Sequence, residues 1–263
     1  MRFDLLPYSK PFHLFLDVHV LRPVNLRLSI FDSMTKRIYS ERNLKLKSNR
    51  KLRFKLPICP DQLTVELVDK NLPRARSVFR IAEIKVQPDT KCPVRLTDED
   101  RRFIKFAKWF AIESTRLDAG EKGTLYQSDG FTILFVDRII EDGVELTTPA
   151  RISRGAASVI QVSKVRTMDY TVPMLLVMLF HEYAHKFKNE QFGKKESNEV
   201  TADVIACHMA LNLGFDSYEV EECFEEVFKR KKTDLNKRRI SAIKEFISIF
   251  NNSEKTRCKI PKQ

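Results

Sequence analysis

Residues 172–185 read VPMLLVMLFHEYAH, an almost wholly apolar run that ends in His181-Glu182-Tyr183-Ala184-His185. Val172 to Phe180 is the longest purely apolar stretch of the chain, and it is far shorter than the roughly 20 residues a membrane helix needs. A helix that is apolar all round belongs in a core. Its polar end carries the chemistry. Residues i and i+4 lie on one helical face, one turn apart, so His181 and His185 can offer two imidazole nitrogens to one divalent ion. Glu182, beside them, is placed to take a proton from water held there. The stretch therefore predicts a buried helix over about 172–189 with a metal site at its C-terminal end. Tyr183, inside the motif, reads as packing.

A tetrahedral catalytic zinc needs a third protein ligand and an open position. The chain continues with Glu196-Ser-Asn-Glu199-Val-Thr-Ala-Asp203, in which Glu199 and Asp203 are again i and i+4. The natural division makes His181, His185 and Glu199 the ligands. Asp203 then accepts the free ring N–H of a liganding histidine and fixes its tautomer. Glu196 and His208 compete for the third place, although His208 falls about half a helical circumference from Glu199. Helices are expected over about 172–189, 196–213, 216–231 and 234–250. Gly214 suits the residue just past a helix end, and Asp216 and Thr233 suit N-caps. Residues 251–263 are polar and read as a flexible tail.

Upstream, Thr97 followed by Asp98, Glu99 and Asp100 is a helix start. Phe103, Phe106, Ala107 and Phe110 continue it as a stripe to about Thr115. Strands are expected over 131–136, over 144–148 after the Asp142-Gly143 turn, and over 157–163. The first third has a different period. FHLFLDVHV at 12–20 and VNLRLSIF at 24–31 alternate with period two, and shorter alternating stretches follow at 44–47, 52–56, 63–68 and 78–86. Short strands at this spacing predict an antiparallel β-sandwich. The expected fold class is thus α+β: a basic β-sandwich docking domain over 1–92, a junction at Lys91–Leu96, and a compact α/β domain over 97–250.

Composition fits this plan. Of the 263 residues, 43% are hydrophobic and 31% charged, with only 7 Gly and 11 Pro, which excludes collagen-like and low-complexity classes. Five cysteines without a CxxC pair argue for reduced thiols rather than a disulfide framework. MRFDLLPYSK lacks the features of a secretory signal, so a cytoplasmic location is expected. The charge is lopsided: residues 1–96 carry 20 basic and 9 acidic side chains, residues 97–263 carry 27 and 26. Arg27, Lys45, Lys47, Arg53 and Lys55 alternate with apolar positions and should line an exposed sheet face. Phe12, Phe31 and Phe54 should lie on the core side, leaving no aromatic platform for bases. An acidic protein surface thus ranks above nucleic acid as the partner of this face.

His181-Glu182-x-x-His185 followed by Glu199-x-x-Ala202-Asp203 resembles the zincin metallopeptidases of the glutamate-ligand type, the gluzincins. The likeness covers roughly residues 97–250, and the short spacing between His185 and Glu199 is similar to the compact HExxH peptidases of crAss-like and other tailed phages. The resemblance implies Zn2+ as cofactor, Glu182 as general base, and a protein or peptide substrate. It also implies that the strand Ser158–Ser163 is the sheet edge that holds an extended substrate. It leaves the oxyanion-stabilising group open among Tyr218, Arg238, Arg239 and His208. A phage source would put the protein in the host cytoplasm or the virion. The competing expectations are a virion structural or assembly protein that keeps the metallopeptidase fold, its basic β-domain binding partner subunits or nucleic acid, and a regulatory peptidase acting on a DNA-bound repressor.

Overall fold

The structure, a computed structural model, describes residues 1–8, 10–71, 78–89, 96–120, 122–152, 159–187, 195–228 and 233–257. The chain is mixed α+β. It divides into two units, one of Met1–Pro93 with Ile112–Arg116, the other of Val94–Ala111 with Leu117–Gln263. The expected junction at 91–96 lies outside the described residues except for Leu96.

The first unit holds β1 (Arg2–Leu5), β2 (Phe12–Val20), β3 (Val24–Asp32), β4 (Ile38–Leu46), β5 (Arg50–Leu56), β6 (Leu63–Asp69) and β7 (Phe79–Pro88). They form two antiparallel sheets, ordered β1-β6-β3-β4 and β5-β2-β7. Period-two patterning sorts the faces: Leu14, Leu16 and Val18 of β2 and Leu26, Leu28 and Ile30 of β3 are wholly buried, while alternate residues reach the surface. The strand expected at 44–47 is longer, and β1 was not anticipated, its four residues showing little pattern. Phe12 and Phe54 are core residues, but Phe31 is not. A register shift between Ile30 and Phe31 leaves Phe31 half-buried, with the cations of Arg2 and Lys36 5.6 and 5.8 Å from its ring centre.

Arg27, Lys45, Lys47 and Arg53 are exposed, whereas Lys55 is half-buried with its Nζ 3.8 Å from Asp89. Arg37 departs from this pattern. Its side chain is buried, and its Nε and Nη2 donate to Ser114 Oγ at 2.9 and 2.5 Å. Burial lowers its pKa to about 10. Ser114 belongs to the 112–116 segment of this unit, so the helix expected over 97–115 does not fall within one unit.

The second unit opens with α1 (Asp98–Glu113), whose last two residues belong to the first unit. Thr97 Oγ1 accepts from Asp100 N at 3.1 Å and Asp100 Oδ2 accepts from Thr97 N at 2.9 Å, a reciprocal cap. There follow β8 (Thr124–Ser128), β9 (Phe131–Val136), the two-residue strands β10 (Ile140–Glu141) and β11 (Val144–Glu145), β12 (Ala150–Ile152) and β13 (Val159–Ser163). The four-stranded sheet runs β12-β13-β9-β8, with β13 and β9 parallel and the other pairs antiparallel. The strand expected over 144–148 stops at Glu145, because Asp142 and Gly143, both at positive φ, close a hairpin only two residues deep. The expected edge strand also moves. β13 lies between β12 and β9, so β12 forms the edge.

Four longer helices complete the unit after the short α2 (Lys164–Thr167): α3 (Val172–Phe187), α4 (Lys195–Leu213), α5 (Ser217–Phe228) and α6 (Asp234–Arg257). Gly214, at φ 112°, ends α4 in a Schellman turn. Phe215 N donates to Ala210 O and Gly214 N to Leu211 O. Thr233 Oγ1 caps α6 through Asn236 N. α6 then continues to Arg257, past the expected start of a tail at 251. Among the described residues no helix is long and apolar enough to cross a membrane, and Cys59, Cys207 and Cys223 are buried and form no disulfide there.

Candidate metal centre

α3 is held at its start by Thr171, whose Oγ1 accepts from Met174 N at 3.3 Å, and is buried on nearly all sides from Val172 to Ala184. Phe103 of α1 stacks on Tyr183 at 4.3 Å, and the Tyr183 hydroxyl donates to Asp100 Oδ1 at 2.9 Å. The motif tyrosine therefore packs and anchors the helix. α4 packs along α3, which brings the two i,i+4 pairs together.

His181 Nε2 and His185 Nε2 are 3.0 Å apart. Glu199 Oε2 is 3.5 Å from the first and Oε1 3.4 Å from the second. The three ligand atoms lie within 4.8 Å of one another and could hold a metal ion. Two ligand atoms each about 2.1 Å from a tetrahedral ion lie roughly 3.4 Å apart, so the spacing suits zinc. The donor chemistry fits as well. His181 Nδ1 is 2.8 Å from Asp203 Oδ1, which assigns the ring proton to Nδ1 and leaves the Nε2 lone pair aimed at His185. Two lone pairs and a carboxylate converging in this way call for a cation. Without an ion a proton serves. Burial pulls the His181 pKa down, but hydrogen bonds to Asp203 and Glu199 outweigh it and push it up to about 10. Burial raises the Glu199 pKa, yet hydrogen bonds from both imidazoles and the charges of His181 and Arg239 hold it well below the usual carboxylate range.

Asp203, only 1% exposed, does more than accept from His181. Arg239 of α6 donates to it through Nε at 2.6 Å and Nη2 at 2.9 Å, and Arg239 Nη1 lies 3.1 Å from Glu199 Oε2. The guanidinium carbon sits 4.2 Å over the Phe228 ring. Glu182 is also buried. Burial raises its pKa, the charges of His181 and His185 lower it, Glu199 raises it, and the Ile152 backbone N–H donates to its carboxylate.

That donor comes from the sheet edge. Ser163 N bonds to Pro149 O, and Arg151 pairs with Gln161. Antiparallel alternation then turns the backbone groups of Ala150 and Ile152 away from β13, toward the free edge. Both residues line a cavity of about 490 Å³ that also receives His181, Glu182, His185 and Glu199. Tyr170, Val177, Met178, Phe224 and Phe228 give it apolar walls.

Of the four candidates for stabilising an oxyanion, only Arg239 lines this cavity. Tyr218 is 62% exposed, Arg238 is exposed, and the His208 ring lies against Phe246 at 6.0 Å. The Glu196 side chain lies outside the described residues. Sequence reasoning missed the Arg239 bridge and the Ile152 donor. The first had a faint signal in Arg238-Arg239, of which only helix phase could choose one. The second is a backbone group and has none. Compared with known families, the chain matches no family model, and a comparison with curated proteins finds no match.

Proposed function

We propose that the protein is a zinc-dependent peptidase of gluzincin type. The observation that supports this reading is the convergence of His181, His185 and Glu199 at a cleft in which the Glu182 carboxylate sits beside β12, the edge strand of its sheet among the described residues. His181, His185 and Glu199 would hold the ion, with Asp203 and Arg239 fixing the orientation of His181 and Glu199. A zinc ion bound there supplies Lewis acidity to the scissile carbonyl and brings the pKa of its water toward neutral.

The remaining steps belong to the chain. The outward backbone N–H and C=O of Ala150 and the outward C=O of Ile152 bind an extended peptide by strand addition, while the Ile152 N–H stays on Glu182. Glu182 accepts the proton of the attacking water and delivers it to the leaving amine. The apolar walls exclude bulk water and strengthen the electrostatics inside. The experiment is to measure metal content and cleavage of a denatured protein substrate by the wild type and by Glu182→Gln. One zinc per chain in both proteins, with the rate lowered about 10²–10⁴-fold in the variant, is expected. Equal cleavage by the two proteins, or no zinc in either, overturns the reading.

A further inference from the structure

Two arginines line the cleft with donors left over. Arg151, on β12, donates from Nε to Gln161 Oε1 at 2.7 Å, and its Nη1 lies 2.9 Å from Glu141. Arg166, on α2, makes one side-chain contact among the described residues, Nη2 to Glu145 Oε1 at 2.7 Å. Its Nε–H is buried and meets no acceptor among the described residues. A guanidinium carries five N–H donors, so most of the hydrogen-bonding capacity of Arg166 is unspent. Its side chain is 30% exposed, and the residue lines the cleft.

Charge points the same way. Glu145 is shared, since Arg138 Nη1 reaches its other oxygen at 2.6 Å. Arg138, Arg151 and Arg166 thus face two carboxylates, Glu141 and Glu145, and leave one positive charge over. The arginines 151 and 166 line the cavity, but neither glutamate does. Of the acidic groups that do line the cleft, Asp203 and Glu199 are engaged by Arg239, and Glu182 by the Ile152 backbone. An acceptor-rich anion entering the cleft would therefore find its donors at Arg166 and Arg151.

We infer that Arg166, assisted by Arg151, makes the cleft selective for a peptide that brings a carboxylate into it. Arg166 is here a specificity-determining residue, and the inference rests on the peptidase reading only for the peptide nature of the ligand. The planar guanidinium matches a carboxylate in a two-point pair, which a neutral amide cannot reproduce. The carboxylate can come from an Asp or Glu side chain or from a peptide C-terminus.

The test uses the zinc-loaded Glu182→Gln protein and fluorescein-labelled octapeptides read by anisotropy. One set is C-terminally amidated and carries Glu, Gln or Lys at each position in turn. A second set is uncharged in its side chains and ends in either a free carboxylate or an amide. We expect about tenfold or greater preference for Glu over Gln at one position, or for the free terminus over the amide. The two sets tell the sources apart. Arg166→Gln should erase the preference and Arg166→Lys should keep only part of it, with melting curves confirming that both variants fold. Should Arg166→Gln not fold, Arg151→Gln should still reduce the preference. Equal binding of acidic and neutral members, an undiminished preference in the variants, or no binding of any peptide overturns the inference. An acid preference in a protein whose wild type cleaves nothing sinks the peptidase reading alone. Cleavage without acid preference sinks this inference alone.

Discussion

Arg239 joins Asp203 and Glu199 of α4: its Nε and Nη2 hold Asp203 at 2.6 and 2.9 Å, and its Nη1 reaches Glu199 at 3.1 Å. One guanidinium thus fixes both a ligand candidate and the group that orients a second ligand candidate. Removing it leaves Asp203, 1% exposed, with its His181 contact but without its two bonds to the guanidinium. Breaking a buried pair in this way costs about 3–5 kcal/mol. Arg239→Met should therefore lower stability by about that amount in denaturant titration. It should also weaken zinc binding about 10–100-fold in chelator competition. Asp203→Ala should weaken zinc to a similar extent, and the double variant should cost less than the sum, because the two residues act as one unit.

Metal uptake should release protons. In the ion-free protein the hydrogen bonds to Asp203 and Glu199 push His181 up to about 10 against the opposing effect of burial, so its ring carries a proton at neutral pH. Zinc needs the neutral imidazole. Calorimetry in buffers of different ionisation enthalpy should therefore show about one proton released per ion at pH 7–8. The sign for stability follows from the raised folded-state value. The contribution of His181 to the ion-free protein is full below its unfolded pKa of about 6.5 and is lost as pH rises toward 10. The zinc-loaded protein should lack this loss. No proton release would mean that His181 already stands neutral.

The anchoring of α3 depends on Asp100, which caps α1 with one oxygen and receives the Tyr183 hydroxyl with the other. Asp100→Ala removes the Asp100 half of the reciprocal cap, leaving Thr97 Oγ1 on the residue-100 N–H, and takes away an acceptor of the buried Tyr183 hydroxyl, a loss of about 1–3 kcal/mol. Tyr183→Phe removes only the hydroxyl and should cost less. Thermal or denaturant unfolding of the two variants and their combination should show clear coupling. Additive effects would mean that the 2.9 Å contact contributes nothing.

The readable parts of the chain were those where one period ran long enough to dominate. The strands at 12–20 and 24–31 and the helix into His181 carry unbroken patterns, and the i,i+4 pairs His181/His185 and Glu199/Asp203 needed only helix geometry to be brought to matching faces. The unread parts are short or act through the backbone. β12 has three residues, too few to show a period, so the sheet edge was placed on its neighbour β13. Phe31 left the core because of a register shift that no local pattern announces. Arg239 lies 36 positions from Asp203, and nothing in Arg238-Arg239 separates the exposed arginine from the half-buried one until α6 has a phase.

The backbone donor to Glu182 gives a prediction for pH. A carboxylate that acts as a base works only when ionised, so cleavage should be present above its pKa and fall as pH drops through it. Burial raises that pKa, whereas the charges of His181 and His185 and the Ile152 N–H lower it. A bound divalent cation acts in the same direction as those imidazolium charges. The Ile152 contribution can be removed by itself. Its N–H faces the free edge and not β13, so Ile152→Pro deletes no rung of the β12–β13 ladder, and proline is tolerated on an edge strand. Without that donor the neutral carboxyl gains, and the acid limb of the pH–rate profile should move to higher pH while zinc content stays unchanged. An acid limb that stays in place would show that the Ile152 N–H does not tune Glu182. A limb that moves together with loss of zinc would instead tie the strand edge to the integrity of the metal centre.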